Sequence, residues 1–281
     1  MLSALRNFAW IGLLCGLLAG CAPTRYVMQY TAPNAEGGRT WPSRETQEVP
    51  RYRYEGELTG EQNFKPDAGV APGGFAKALR WLAGITQQGR NPTVLQRPQS
   101  GFTDANGRIY VTDSSRKAVF VFDETAGKLD VWEFAERNTR FASPVGVALL
   151  ANNEVLVTDA DLARVFRLSS DGKSLGSFGA EVLKRPTGIA CDHERQLVFV
   201  ADTQAHDIKV FDARGRLVDT IGERGDGDGQ LNYPTHLAFA KGTLYVTDMM
   251  NSRVQLFSAD SSLKLKFGGR GLYVGNLVRP K

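Results

Sequence analysis

RPTGIACDHERQLVFVADTQAHDIKVFDARGRLVDTIG, residues 185–222, decides the fold. Three runs inside it, Val198-Phe-Val-Ala-Asp202, Ile208-Lys-Val-Phe-Asp212 and Leu217 to Ile221, are rich in β-branched and aromatic residues. Short polar stretches separate them, and Gly222 closes the last. Side chains of this kind fit a pleated, half-buried surface, so the stretch predicts strands joined by tight turns.

The pattern recurs in both directions. Arg97-Pro98 leads to Ile109-Tyr-Val-Thr-Asp113 and Val119-Phe-Val-Phe-Asp123. Ser143-Pro144 leads to Val155-Leu-Val-Thr-Asp159 and Val165-Phe-Arg-Leu-Ser169. Arg185-Pro186 leads to Asp202 and Asp212, and Tyr233-Pro234 to Leu244-Tyr-Val-Thr-Asp248 and Val254-Gln-Leu-Phe-Ser258. The steps between the motif aspartates are 46, 43 and 46 residues. Hairpin turns are expected at Asn106-Gly107, Asn152-Asn153, Glu194-Arg195 and Lys241-Gly242. Outer strands are expected at Val131-Trp132, Leu175 to Phe178, Leu217 to Ile221 and Leu263 to Phe267. A unit of about 45 residues with about four strands is a propeller blade. One blade cannot bury both of its faces, so blades stack. Val278-Arg-Pro280 reads as the start of a fifth unit.

Residues 183–268 resemble NHL repeats, in Arg-Pro-Thr-Gly-Ile-Ala, Val-Ala-Asp-Thr, Ile-Lys-Val-Phe-Asp and the closing Ile-Gly. The resemblance covers about residues 95–281. It implies an all-β NHL-type β-propeller of four nearly complete blades plus the start of a fifth. The best-known NHL propellers have six blades, so the chain is either a C-terminally incomplete fragment of six or an open ring, and the fragment is expected, because an open stack exposes an apolar blade face. Arg51 to Leu58 alternates aromatic and charged residues and is expected to be a strand, one able to close such a ring from outside.

Upstream lies an address. Phe8 to Gly20 is thirteen residues without a charge, preceded by Arg6, and ends in Leu18-Ala19-Gly20-Cys21. The run suits a signal-peptide core and is short for a membrane span. Its end resembles the lipobox of bacterial lipoproteins, which implies lipidation of Cys21. Ala22, rather than Asp, implies the outer membrane by family analogy. The expected organisation is a signal peptide at 1–20, a lipidated Cys21 and Pro/Gly-rich tether at 21–50, an opening strand and short helix at 51–94, and the propeller at 95–281. The helix is read from Phe75, Leu79, Leu82 and Ile85 on one face.

Formal charge is +4 over the chain, too small for a dedicated nucleic-acid surface. The 42% apolar and 23% charged residues exclude wholesale disorder, and three cysteines exclude a disulfide scaffold.

Four equivalent carboxylates, Asp113, Asp159, Asp202 and Asp248, point to a structural job at one repeat position, since catalysis needs asymmetric surroundings. Pro98, Pro144, Pro186 and Pro234 open the blades. The residues two past each proline, Ser100, Gly146, Gly188 and His236, are expected near the central channel, with Thr187 and Thr235 beside them. His236 replaces the NHL glycine. It heads the possible ligand-binding set with Ser100, Thr187 and Thr235. His193 and His206 fall in different turns, so a shared zinc is not expected. Cys191 reads as a buried apolar side chain. Asp226-Gly-Asp228-Gly229 has part of a calcium-loop pattern but lacks its terminal glutamate. No catalytic residue, metal or cofactor is assigned. The expected function is an envelope-facing scaffold for a protein, peptide or glycan, held to the membrane through Cys21. The alternatives are a metal-assisted hydrolase or lyase completed by further blades, and an RNA-binding NHL domain, which export disfavours.

Overall fold

The computed structural model describes residues 25–31, 40–42, 49–67, 92–258, 260–271 and 275–280. The signal run, Cys21 and the amphipathic stretch at 75–85 lie outside them. The chain divides into two compact units, residues 1–58 with 62–92 and 126–128, and residues 59–61 with 93–125 and 129–281.

In the first unit, β1 (Tyr26–Met28), β2 (Thr40–Trp41), β3 (Tyr52–Arg53) and β4 (Phe64–Pro66) form two antiparallel pairs, β1 with β4 and β2 with β3. Buried Asn63 ties the unit together, its Nδ2 donating to the carbonyls of Gln29 and Glu57 at 2.9 and 2.8 Å. Two expectations change here. The stretch expected to be tether contains strands, because Tyr26–Met28 finds its partner some 40 residues away, and distant pairing leaves no local period. The strand expected over 51–58 is reduced to Tyr52–Arg53 and a bridge from Glu57 to Thr31.

The second unit carries four four-stranded antiparallel sheets in simple meander order. Blade 1 is β5 (Pro98–Thr103), β6 (Ile109–Asp113), β7 (Ala118–Asp123) and β8 (Lys128–Trp132). A small hairpin, β9 (Phe134–Glu136) and β10 (Thr139–Arg140), occupies the connector to blade 2. Blade 2 is β11 (Pro144–Leu149), β12 (Val155–Asp159), β13 (Arg164–Leu168) and β14 (Ser174–Phe178). Blade 3 is β15 (Pro186–Asp192), β16 (Leu197–Asp202), β17 (Asp207–Asp212) and β18 (Leu217–Ile221). Blade 4 is β19 (Pro234–Ala240), β20 (Thr243–Asp248), β21 (Arg253–Ser258) and β22 (Leu263–Gly268). Each blade strand run read from the sequence falls on one of these elements, the run Val165 to Ser169 extending one residue past β13.

The core is the set of blade-to-blade layers. Tyr110, Val119 and Val121 of blade 1 pack with Val147, Val155 and Phe166 of blade 2. Leu156 and Val165 pack with Val198 and Phe211 of blade 3. Phe199 and Val210 pack with Leu244 and Phe257 of blade 4, and Phe199 stacks on Phe239 at 5.5 Å. β12 is buried throughout, because it sits mid-sheet with a blade on either side. Such strands read as unbroken apolar runs rather than alternating ones.

Candidate functional site

The repeat aspartates hold the backbone together. Asp113 Oδ2 accepts the N–H groups of Gln96 and Arg97 at 2.5 and 2.9 Å, and its Oδ1 those of Ser115 and Arg116 at 3.0 and 2.8 Å. Asp159 does the same for Ala142, Ser143, Asp161 and Leu162. Asp202 takes Lys184, Arg185 and Ala205. Each carboxylate is fully buried and spent on amides of the incoming connector and of its own turn.

Asp248 departs from this. It accepts the N–H of Asn232 at 2.7 Å, but Asn251 Nδ2 and Arg253 Nε, each at 2.8 Å, take the place of the turn amides. The nearly buried Arg253 guanidinium then donates to the carbonyls of Asp226, Gly227 and Gln230, each at 2.8 Å. The stretch with part of a calcium-loop pattern therefore turns its carbonyls onto a resident cation, and Asp228 is bound to Lys266.

A second repeated device joins the blades. Thr112 Oγ1 accepts Ser100 N–H at 3.1 Å and donates to the Val145 carbonyl of blade 2 at 2.6 Å. Thr158 Oγ1 accepts Gly146 N–H at 2.7 Å and donates to the Thr187 carbonyl of blade 3 at 2.5 Å. Blade 3 has Ala201 at this position. There Thr187 Oγ1 lies 3.0 Å from the Thr235 carbonyl and 2.7 Å from Thr203 Oγ1, which donates to the Pro234 carbonyl at 2.6 Å. Of these threonines the sequence singles out Thr187, as a channel residue, and not Thr112, Thr158 or Thr203. Their signal was the Thr before the motif Asp in three of the four units.

Glycine two past the proline follows from the same closeness. A Cβ on Gly146 would stand 2.3 Å from the Thr187 oxygen, and one on Gly188 would stand 2.5 Å from the Thr235 oxygen and 2.8 Å from His236 Cα. Inner strands of successive blades touch backbone to backbone here. The fold therefore brings Thr187, Thr235 and His236 together across the blade 3–4 boundary, with His236 half-buried on β19. Ser100 lies apart on β5. Thr235 Oγ1 is buried without a hydrogen bond.

The other histidines lie in separate places. His206, in the blade 3 turn, packs edge-on against Tyr233 at 4.6 Å and its Nδ1 accepts the Tyr233 N–H at 3.3 Å. Burial, then the nearby Arg224 charge, holds its pKa below the usual value. His193 lines a cleft of about 300 Å³ with Leu150, Asn152, Arg167 and Asp192. Its charged groups are already engaged, Arg167 with Glu154 and Asp192 with its own turn. Cys191 is largely buried, which pushes its thiol up to about 12. Among the described residues no three His, Cys, Asp or Glu side chains gather as a metal site.

A second cleft, of about 340 Å³, opens between the blade 4 turn and the segment after β22. It is lined by Met249, Met250, Ser252, Arg270, Gly271, Leu277, Val278 and Arg279.

Curated relatives and solved structures each resemble part of the chain. The Drosophila melanogaster protein brain tumor is 33% identical over 103 residues, 34% of this chain and 10% of that protein. The Caenorhabditis elegans RING finger protein nhl-1 is 39% identical over 66 residues, 23% of this chain and 7% of that protein. The human E3 ubiquitin-protein ligase NHLRC1 is 29% identical over 99 residues, 34% of this chain and 24% of that protein. The fold is an NHL-type β-propeller.

No family model matches the chain. Among solved structures, the NHL-type propeller superposes on Staphylococcus aureus virginiamycin B lyase with quinupristin at a TM-score of 0.51 and 12% identity, covering 64% of this chain and 60% of that one. The gluconolactonase XC5397 of Xanthomonas campestris gives 0.50 and 22%, covering 62% of this chain and 64% of that one. These likenesses are of fold alone.

Proposed function

We propose that this NHL-type propeller is a lipid-anchored scaffold of the bacterial cell envelope, binding a protein, peptide or glycan. The observation that carries it is the use of the repeated polar frame within the molecule. The motif aspartates and threonines, repeated through the blades, bind backbone rather than present chemistry. What varies between blades is the turns and connectors, and scaffolds place their binding groups on such loops. The Leu18-to-Cys21 lipobox supports attachment through Cys21, with Ala22 favouring the outer membrane.

The scaffold extends, in the same reading, to a six-bladed ring. Blade 4 supports this. Phe267 is 50% exposed, whereas Ile221, its counterpart in blade 3, is 3% exposed. The parallel bridge of Arg270 to Leu277 repeats that of Arg224 to Leu231, 46 residues earlier.

Metabolic labelling with an alkyne fatty acid, comparing the wild type with Cys21→Ala, tests the anchor. Label and envelope association are expected in the wild type and lost in the variant; equal labelling overturns it. Cross-linking in intact envelopes tests the scaffold, with a saturable macromolecular adduct expected. A stoichiometric divalent metal in the purified protein would replace the scaffold with the metal-assisted hydrolase or lyase. Intact mass of the protein extracted from envelopes tests the ring, which requires roughly two further blades of about 45 residues each.

A further inference from the structure

The cleft beside blade 4 exists because of what stands in its repeat positions. Each lining residue has a counterpart 46 positions earlier in blade 3. Ser252 answers to His206 and Arg279 to Tyr233. In blade 3 that imidazole and phenol ring pack against each other and fill the space. In blade 4 the small Ser252 leaves it open. Met250 answers to Gln204, Met249 to Thr203 and Val278 to Asn232, so polar lining becomes apolar. Arg270 keeps the charge of Arg224, and Arg279 adds a second. Neither guanidinium forms an ion pair or side-chain hydrogen bond among the described residues. Met250 is exposed, as its counterpart Gln204 is beside the complete blade 4.

We propose that this cleft binds the C-terminal residue of a peptide chain, an apolar side chain lying on Met249, Met250, Leu277 and Val278 while Arg270 and Arg279 take the carboxylate. The volume lies at the lower end of small-ligand sites and suits a residue or two. Methionines line surfaces that adapt to varied apolar groups, and arginine is the side chain suited to a planar carboxylate. The proposal carries the scaffold reading to one site and one ligand chemistry. It is tested without reference to lipid or envelope, so either can fail alone.

The experiment titrates the full chain, in detergent, with acetyl-Gly-Gly-Leu bearing a free carboxylate, followed by calorimetry. The same peptide as its C-terminal amide and octanoate serve as the other arms. Saturable binding of the acid is expected, at least tenfold weaker for the amide and for Arg270→Gln. The double variant S252H/R279Y rebuilds the blade 3 ring pair and is expected to abolish binding. His206 and Tyr233 already hold those side chains at positive φ, as Ser252 and Arg279 do, so the backbone accepts them. Thermal melting checks that this variant folds, and Met250→Ser, a surface change, gives an independent loss of severalfold. Equal binding of acid and amide, undiminished binding by the double variant when folded, or no saturable binding to the wild type each overturns the proposal. Tighter binding of octanoate than of the peptide overturns the peptide source.

Discussion

The Thr158 hydroxyl reaches across a blade boundary to the Thr187 carbonyl, 2.5 Å away, while accepting the Gly146 N–H of its own blade at 2.7 Å. One buried hydroxyl satisfies two backbone groups that no sheet ladder serves. Thr158→Val keeps the shape and orphans both. A loss of about 2–3 kcal/mol is expected in urea unfolding, since each buried unsatisfied group costs roughly 1–3 kcal/mol. Thr235→Val is the contrast. That hydroxyl is buried without a partner, so its removal is expected to be neutral or slightly stabilising. Equal losses in the two variants would refute the latch.

Arg253 is the internal cation of the blade 3–4 connector. Arg253→Met leaves the Asp226 and Gly227 carbonyls without their donor, the Gln230 carbonyl with Gln255 Nε2 alone, and Asp248 without its charged partner. Breaking a buried pair from one side costs about 3–5 kcal/mol. Hydrogen exchange is expected to rise first in residues 224–231. A variant that exchanges there as slowly as the wild type would show that the loop holds itself.

His206 makes stability depend on pH. Burial, then Arg224, lowers its folded pKa from the ordinary imidazole value of 6.5. The unfolded chain therefore binds more protons just below 6.5, and this contribution, full above that value, is lost as pH falls through it. Asn tolerates the left-handed backbone at this position and does not titrate. The drop in stability between pH 7.5 and 6 is expected to be smaller in His206→Asn. Parallel profiles would place the pH sensitivity elsewhere.

Cys191, with its thiol raised to about 12 by burial, is expected to react with a thiol reagent at pH 8 far more slowly in the folded than in the urea-unfolded protein. Reaction at equal rates would mean that β15 opens readily.

The strands, the blade period and the structural job of the motif aspartates were legible in the chain itself. Each depends on local side-chain alternation, turn residues and spacing, and these repeat four times. The Val-Thr-Asp pattern also carried the latch threonines, though a sequence does not say which carbonyl a hydroxyl meets. Tertiary structure alone decided the rest. Tyr26–Met28 becomes a strand only because Phe64–Pro66 lies beside it. Gly188 needs its missing side chain only because the β19 backbone passes there. Ser252 opens a cleft only because Leu277 and Arg279 return to its turn. Those relations join residues distant in sequence, and the physical quantity that fixes them, proximity across a packed boundary, has no period to read along the chain.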